Sequence, residues 1–185
     1  GPGTGLGVAA LLPSSSGPMV IEGEGGHVSF APRDEGERNI LTALATEFGH
    51  VSAERVVSGP GLEAIYKTSN DARLAAPEIG DGALAGDNKC VKAVNLMLKS
   101  FATVVANAAL SFGAGSGIVI AGGVVPRLRD LLDQSGFYER LEDHGRRSEF
   151  LAKLPIYLAI DRFAGLRGAA IASCSSQLQS RIIRC

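Results

Sequence analysis

The residues of this chain that could do chemistry sit in short glycine-rich stretches. Glu24-Gly25-Gly26-His27 places a carboxylate and an imidazole in one loop. The carboxylate accepts hydrogen bonds from hydroxyls and the imidazole either donates or accepts, a pairing that suits a neutral polyol such as a sugar. A solvated acidic turn would use the same residues, since Glu22 lies beside them. Glu54, within Ser52-Ala53-Glu54-Arg55, is a third polar anchor or an ion-paired surface residue. Gly3-Thr4-Gly5 offers backbone N–H groups free to converge and a hydroxyl donor, which is what a phosphate needs. A bare Gly-Thr-Gly is more often a plain turn. Gly122-Gly123 follows an apolar run over residues 118–121. It either lets a flat ring approach the backbone or allows tight strand-to-helix packing.

Other chemistries lack their residues. No Gly-Lys-Ser/Thr follows either glycine cluster, and neither is a dinucleotide fingerprint with a ribose acid at the right distance. His27, His50 and His144 do not cluster with cysteines, so no metal ligands are assigned, and there is no nucleophile elbow. Cys90, Cys174 and Cys185 are far apart and odd in number, which suggests reduced thiols in a cytoplasmic protein. The 18 Lys and Arg against 19 Asp and Glu give a net charge of −1, with no electrostatic footprint for nucleic acid or an anionic membrane. No run approaches the ~18 consecutive apolar residues of a membrane span.

The elements that must position these groups alternate short β-like runs with amphipathic helices, so the expected class is α/β. Residues 6–12 and Met19-Val20-Ile21 read as strands around a turn over 13–18, and residues 22–28 as a polar glycine loop. Asp34 with Glu37 reads as an N-cap pair for a helix that buries Ile40, Leu41, Leu44 and Phe48 and stops at Gly49. Gly59-Pro60 starts a short helix through Leu62, Ile65 and Tyr66. Residues 68–86 look like a surface excursion. Asp87 caps the longest helix, with a stripe at Val91, Val94, Leu98, Phe101, Val105, Ala108 and Phe112. Residues 118–121 read as a strand of the fully buried kind, Pro126 as the opening of a helix with Leu128, Leu131 and Leu132, and Ser148 as the cap of a short turn. A strand over 154–160 and a small-residue helix over 164–178 complete the expected order.

Taken in order, the motifs resemble one family. Gly1-Pro2-Gly3-Thr4-Gly5-Leu6-Gly7, Gly23-Glu24-Gly25-Gly26-His27-Val28, the stretch from His50 to Leu62 and Ile120-Ala121-Gly122-Gly123-Val124-Val125-Pro126-Arg127 strongly resemble bacterial-type glucokinases. The likeness runs to about residue 172. It implies the larger lobe of an ATP-dependent sugar kinase of the actin-like ATPase (ribonuclease H-like) superfamily: a mixed sheet with flanking helices, lacking its first strand and the small lobe. Residues 1–163 would form that lobe, and 164–185 a helix and tail that pack on the small lobe. The resemblance implies D-glucose held by Glu24, His27 and Glu54, and ATP with Mg²⁺ as cofactors. Gly3, Thr4 and Gly5 would take phosphate, and Gly122 and Gly123 would contact adenosine; a homodimer is the usual assembly. The family's Asp-x-Gly-Gly-Thr phosphate loop and its Asn-Asp pair, whose Asp is the general base, have no counterpart here. No catalytic residue is therefore assigned, and the chain alone is expected to be inactive. Ser29 stands where relatives often carry Asp.

Overall fold

The computed structural model describes residues 1–15 and 17–174. Its core is organised by α4 (Asn88–Phe112). The Asp87 carboxylate accepts from the Lys89 and Cys90 amides, both at 2.9 Å, which caps the helix as expected. Gly113, in the left-handed region at φ 61°, closes it. Val94, Leu98, Phe101 and Val105 of the expected stripe are buried, and Met97, Ala102, Ala106 and Ala109 widen it. Each large apolar side chain so buried is worth roughly 1.5–3 kcal/mol. By length and composition α4 could cross a membrane, but 67% of its most apolar window is buried inside the protein. The helices that bury it are α2 (Gly59–Asn70), α3 (Ala76–Leu84) and α6 (Phe137–Glu142).

Helix α3 corrects the sequence reading of residues 68–86 as a surface excursion. Its residues are small and polar, yet Ile79 and Ala83 are buried and the helix packs on α2 and α4. Glu78 accepts from the Ala75 amide at 2.9 Å, closing the first turn. Tertiary packing stabilises a helix that weak local patterning conceals.

Helix α1 (Glu35–Phe48) begins where Asp34 accepts from the Glu37 amide at 2.9 Å and ends at Gly49. Ile40 and Leu44 are buried, whereas Phe48 lies at the helix end under the Arg55 guanidinium, 3.7 Å from the ring centroid. Glu37 does more than pair with a cap. Its buried carboxylate accepts from the Arg33 amide (2.6 Å), Ser100 Oγ (3.1 Å) and Arg140 Nη1 (2.7 Å), while Arg140 Nη2 donates to Asp34 (2.7 Å). Burial opposes ionisation of Asp34, but the Glu37 amide and Arg140 outweigh it and hold its carboxyl below the usual range.

The strands form two small sheets, not the single mixed sheet expected. β1 (Val8–Leu12) pairs antiparallel with β2 (Met19–Gly23), Ala10 opposite Ile21. β3 (Ile118–Ile120) pairs parallel with β4 (Ile156–Leu158), Val119 opposite Tyr157. The expectation of a fully buried β3 is also corrected: Ile120 is buried but Val119 is 67% exposed, because helices cover only one face. After β3, α5 (Val124–Arg127) is a single turn that breaks at Leu128 into a 3₁₀ turn. Ser148 is the first residue of α7 (Ser148–Ala152), and its hydroxyl accepts from the His144 amide at 3.1 Å. α8 (Ala164–Cys174) has no buried residue. The rest of the expected helix, residues 175–178, and the tail to 185 lie outside the described residues.

Candidate functional site

The loop over residues 1–7 is the hub on which the other candidate residues meet. Pro2 and Leu6 form an antiparallel bridge, and the Gly3 amide donates to the Gly5 carbonyl at 2.8 Å, so residues 3–5 fold into a tight reversal. The exposed Thr4 hydroxyl and the Thr4 and Gly5 amides make no hydrogen bond among the described residues. Three donors at one turn can receive a phosphate oxygen.

Glu54 is tied directly to this loop. Its Oε2 accepts from the Leu6 amide at 2.7 Å, across 48 residues of sequence. One oxygen is thereby committed, and Oε1 is left for a second partner. Ser58, which the sequence reading passed over, fixes this segment from below. Its hydroxyl donates to the Glu54 carbonyl at 2.7 Å and accepts from the Gly61 amide at 3.1 Å, so the N-cap of α2 also holds Glu54. The Ser58-Gly59-Pro60 triplet was the available signal. Thr4 and Glu54 share a cavity of about 310 Å³ with Arg55, Lys67 and Arg73.

Glu24 and His27 lie on a 3₁₀ turn over Gly25–His27 and are exposed, with His27 Nε2 3.7 Å from Glu24 Oε2. Two features seat this turn against the hub. The Ala53 amide donates to the Val28 carbonyl at 2.8 Å, which joins it to the Glu54 segment. Gly26 lies so close to the Leu6 carbonyl that a Cβ there would strike it. Ser29 Oγ is 3.1 Å from His50 Nε2. The structure thus brings Glu24 and His27 together, and Thr4 and Glu54 together, with Leu6 between the two pairs.

Gly122, at φ 98°, packs where a Cβ would meet the Pro2 carbonyl, and the Val124 amide donates to that carbonyl at 3.4 Å. Tight packing therefore accounts for Gly122. Gly123 has open space where a side chain would project, which leaves room for a ligand. Among the described residues no three acidic, histidine or cysteine side chains gather around a metal site. The donor set at residues 4–5 fits a phosphate, and no group here is assigned to hold Mg²⁺.

The architecture is that of a sugar-kinase fold, matched over about half the length of a solved relative. A family model described as glucokinase matches residues 1–176, and the chain belongs to the glucokinase family. It is 42% identical over 177 residues to a glucokinase of Chromobacterium violaceum, covering 92% of this chain and 51% of that protein. The crystal structure of a glucokinase from an Antarctic psychrotroph superposes with a TM-score of 0.83 at 33% identity, covering 91% of this chain and 55% of the other. A glucokinase from Balamuthia mandrillaris, solved in complex with glucose, shares the fold at a TM-score of 0.72 and 22% identity, over 85% and 48% of the two chains. The chain therefore spans about half the length of the relatives it matches.

Proposed function

We propose that this chain carries the sugar anchors and part of the nucleotide cradle of an ATP-dependent glucose kinase of the cytoplasm, on the actin-like ATPase fold. The observation that carries the proposal is the Leu6 amide to Glu54 bond. It locks a phosphate-type loop and a hydroxyl-accepting carboxylate into one rigid unit, the juxtaposition that transfer of a phosphoryl group to a sugar hydroxyl requires. Glu24, His27 and the free oxygen of Glu54 hold and orient hydroxyls. Thr4 and Gly5 donate to phosphate oxygens, and Gly123 leaves space beside the nucleotide. ATP with Mg²⁺ supplies the transferred phosphoryl group.

A base must take the proton of the attacking hydroxyl, and no Asp lines the Thr4–Glu54 cavity. Asp34 and Asp87 cap helices. Asp161 accepts from the Phe163 amide at 2.9 Å and pairs with Arg167, which supports its reading as a turn residue. Loss of general-base catalysis alone costs roughly 10²–10⁴ in rate. A coupled assay on the chain should show no glucose-dependent formation of glucose 6-phosphate, while calorimetry detects weak glucose or ADP binding that Glu24→Gln weakens roughly tenfold. Turnover abolished by Asp161→Ala would overturn the placement of the base. Glucose binding indifferent to Glu24→Gln and His27→Ala would overturn the sugar site.

A further inference from the structure

We propose that the cavity between α1 and α2 binds a sugar phosphate, with Arg55, Lys67 and Arg73 taking the phosphate and Glu47 and Glu63 taking hydroxyls. The cavity has a volume of about 310 Å³, at the lower end of the roughly 300–1,000 Å³ of small-molecule sites. The last turn of α1, the segment around Glu54 and Arg55, α2 and residues 73–74 wall it, and Thr4 of the 1–7 loop also lines it. The sugar turn at residues 24–27 does not line it.

The charges around this cavity do not neutralise one another. Three cations and three carboxylates line it, and among the described residues no ion pair joins any of them. Glu63 and Lys67 stand four residues apart on α2, in the order that favours pairing. Backbone amides draw the carboxylates off instead. Glu63 Oε1 accepts from the Ala76 amide at 2.9 Å, and Glu54 Oε2 from the Leu6 amide at 2.7 Å. Arg55 lies flat over the Phe48 ring, 3.7 Å from its centroid, which leaves its in-plane N–H groups to donate elsewhere. The side chains of Lys67 and Arg73 have no hydrogen-bond or ionic partner among the described residues. The cavity thus presents cationic donors without counter-ions.

The class of ligand follows from both sets of charges. A phosphate dianion supplies the missing counter-charge, with Arg forking to two of its oxygens and Lys acting as a point charge. A bare anion, however, is repelled by Glu47 and by the unengaged oxygens of Glu54 and Glu63. Hydroxyl groups turn those oxygens into partners, because a carboxylate accepts from O–H. Leu44, Ala64 and Leu74 add an apolar wall for the C–H face of a ring. Inorganic phosphate meets only the first of these features and a free sugar only the other two. A sugar phosphate meets all three. Because Thr4 lines the same cavity, such a ligand stands against the phosphate turn. Under the glucose-kinase reading, on which this consequence alone rests, the product would hold back the next nucleotide.

The test is titration of the chain with glucose 6-phosphate, inorganic phosphate and glucose, read by calorimetry and by amide NMR shifts. Glucose 6-phosphate should bind saturably, about tenfold or more tighter than inorganic phosphate, and should shift the amides of Ala64, Lys67 and Leu74. Lys67→Gln and Arg73→Gln should each weaken it about tenfold, by removing one charge-assisted bond. Both side chains are exposed and unpaired, so these changes spare the fold. Arg146→Gln, at an exposed cation outside the cavity, should leave binding unchanged. Absence of saturable binding, or equal binding of inorganic phosphate, overturns the proposal. So does binding that Glu24→Gln weakens while Lys67→Gln and Arg73→Gln do not, which would seat the ligand at residues 24–27. Failure of the glucose-kinase reading is seen separately, as glucose binding indifferent to Glu24→Gln.

Discussion

The helical side and the strand side of this molecule are built to different standards of completion. Around α4, Val94, Met97, Leu98, Ala102, Ala106 and Ala109 have no measurable exposure. Leu11, Val119 and Tyr157 on the strands are more than half exposed. Helices α1 to α4, α6 and α7 pack chiefly on each other, whereas α8 has no buried residue. The strands form two-stranded pieces, too small to bury both faces. Stability therefore resides in the helical layer, whereas the candidate chemistry resides in loops attached to the unfinished strand layer. Such a division lets the site's loops be held from below by helix caps such as Ser58 while their upper surface stays open.

The sharpest way to break this comparison is the ion-pair knot that ties α6 to α1. Arg140→Met leaves the buried Glu37 carboxylate without its guanidinium, and should cost about 3–5 kcal/mol in urea unfolding. The double variant Glu37→Met with Arg140→Met should recover most of that loss, because an apolar pair carries no desolvation cost. Leu98→Ala should cost about 2–5 kcal/mol by opening a cavity under α4, against about 0.5 kcal/mol or less for Leu11→Ala on the strand side. Equal losses at the two leucines would show that the strand layer is packed after all.

Ser58→Ala removes the α2 cap and should cost about 0.5–2 kcal/mol. It should weaken sugar binding as well, because Ser58 also holds the Glu54 backbone; a stability loss without a binding loss would separate the two roles. The smallest expected effect is a pH dependence. Burial, then the nearby Arg33 guanidinium, hold the His144 imidazole below its ordinary 6.5. The unfolded chain therefore binds that proton first as pH falls. Stability present above pH 6.5 should decline as pH drops through 6.5 toward the lower folded value, and His144→Asn should flatten that decline.

Much of the fold was legible because its signals are local. The caps at Asp34 and Asp87, the Pro60 start and the stops at Gly49 and Gly113 act over one to four residues, and the stripe on α4 repeats within one helix. The glycine motifs were legible for the same reason: they are contiguous, and their order along the chain is itself a signature. The sequence by itself thus determined the α/β class, most element positions, the family and the identity of the candidate site residues. Only the tertiary structure decided which of those residues touch. That Glu54 receives the Leu6 amide 48 residues away, and that Glu37 meets Arg140 103 residues away, depends on packing that no local period encodes. The same holds for α3, a helix stabilised by its seat on α4, and for Val119, an apolar residue left exposed because one face of its sheet is bare. A side chain's type is written in the chain, but its burial and its partner are set by the elements that arrive on either side of it.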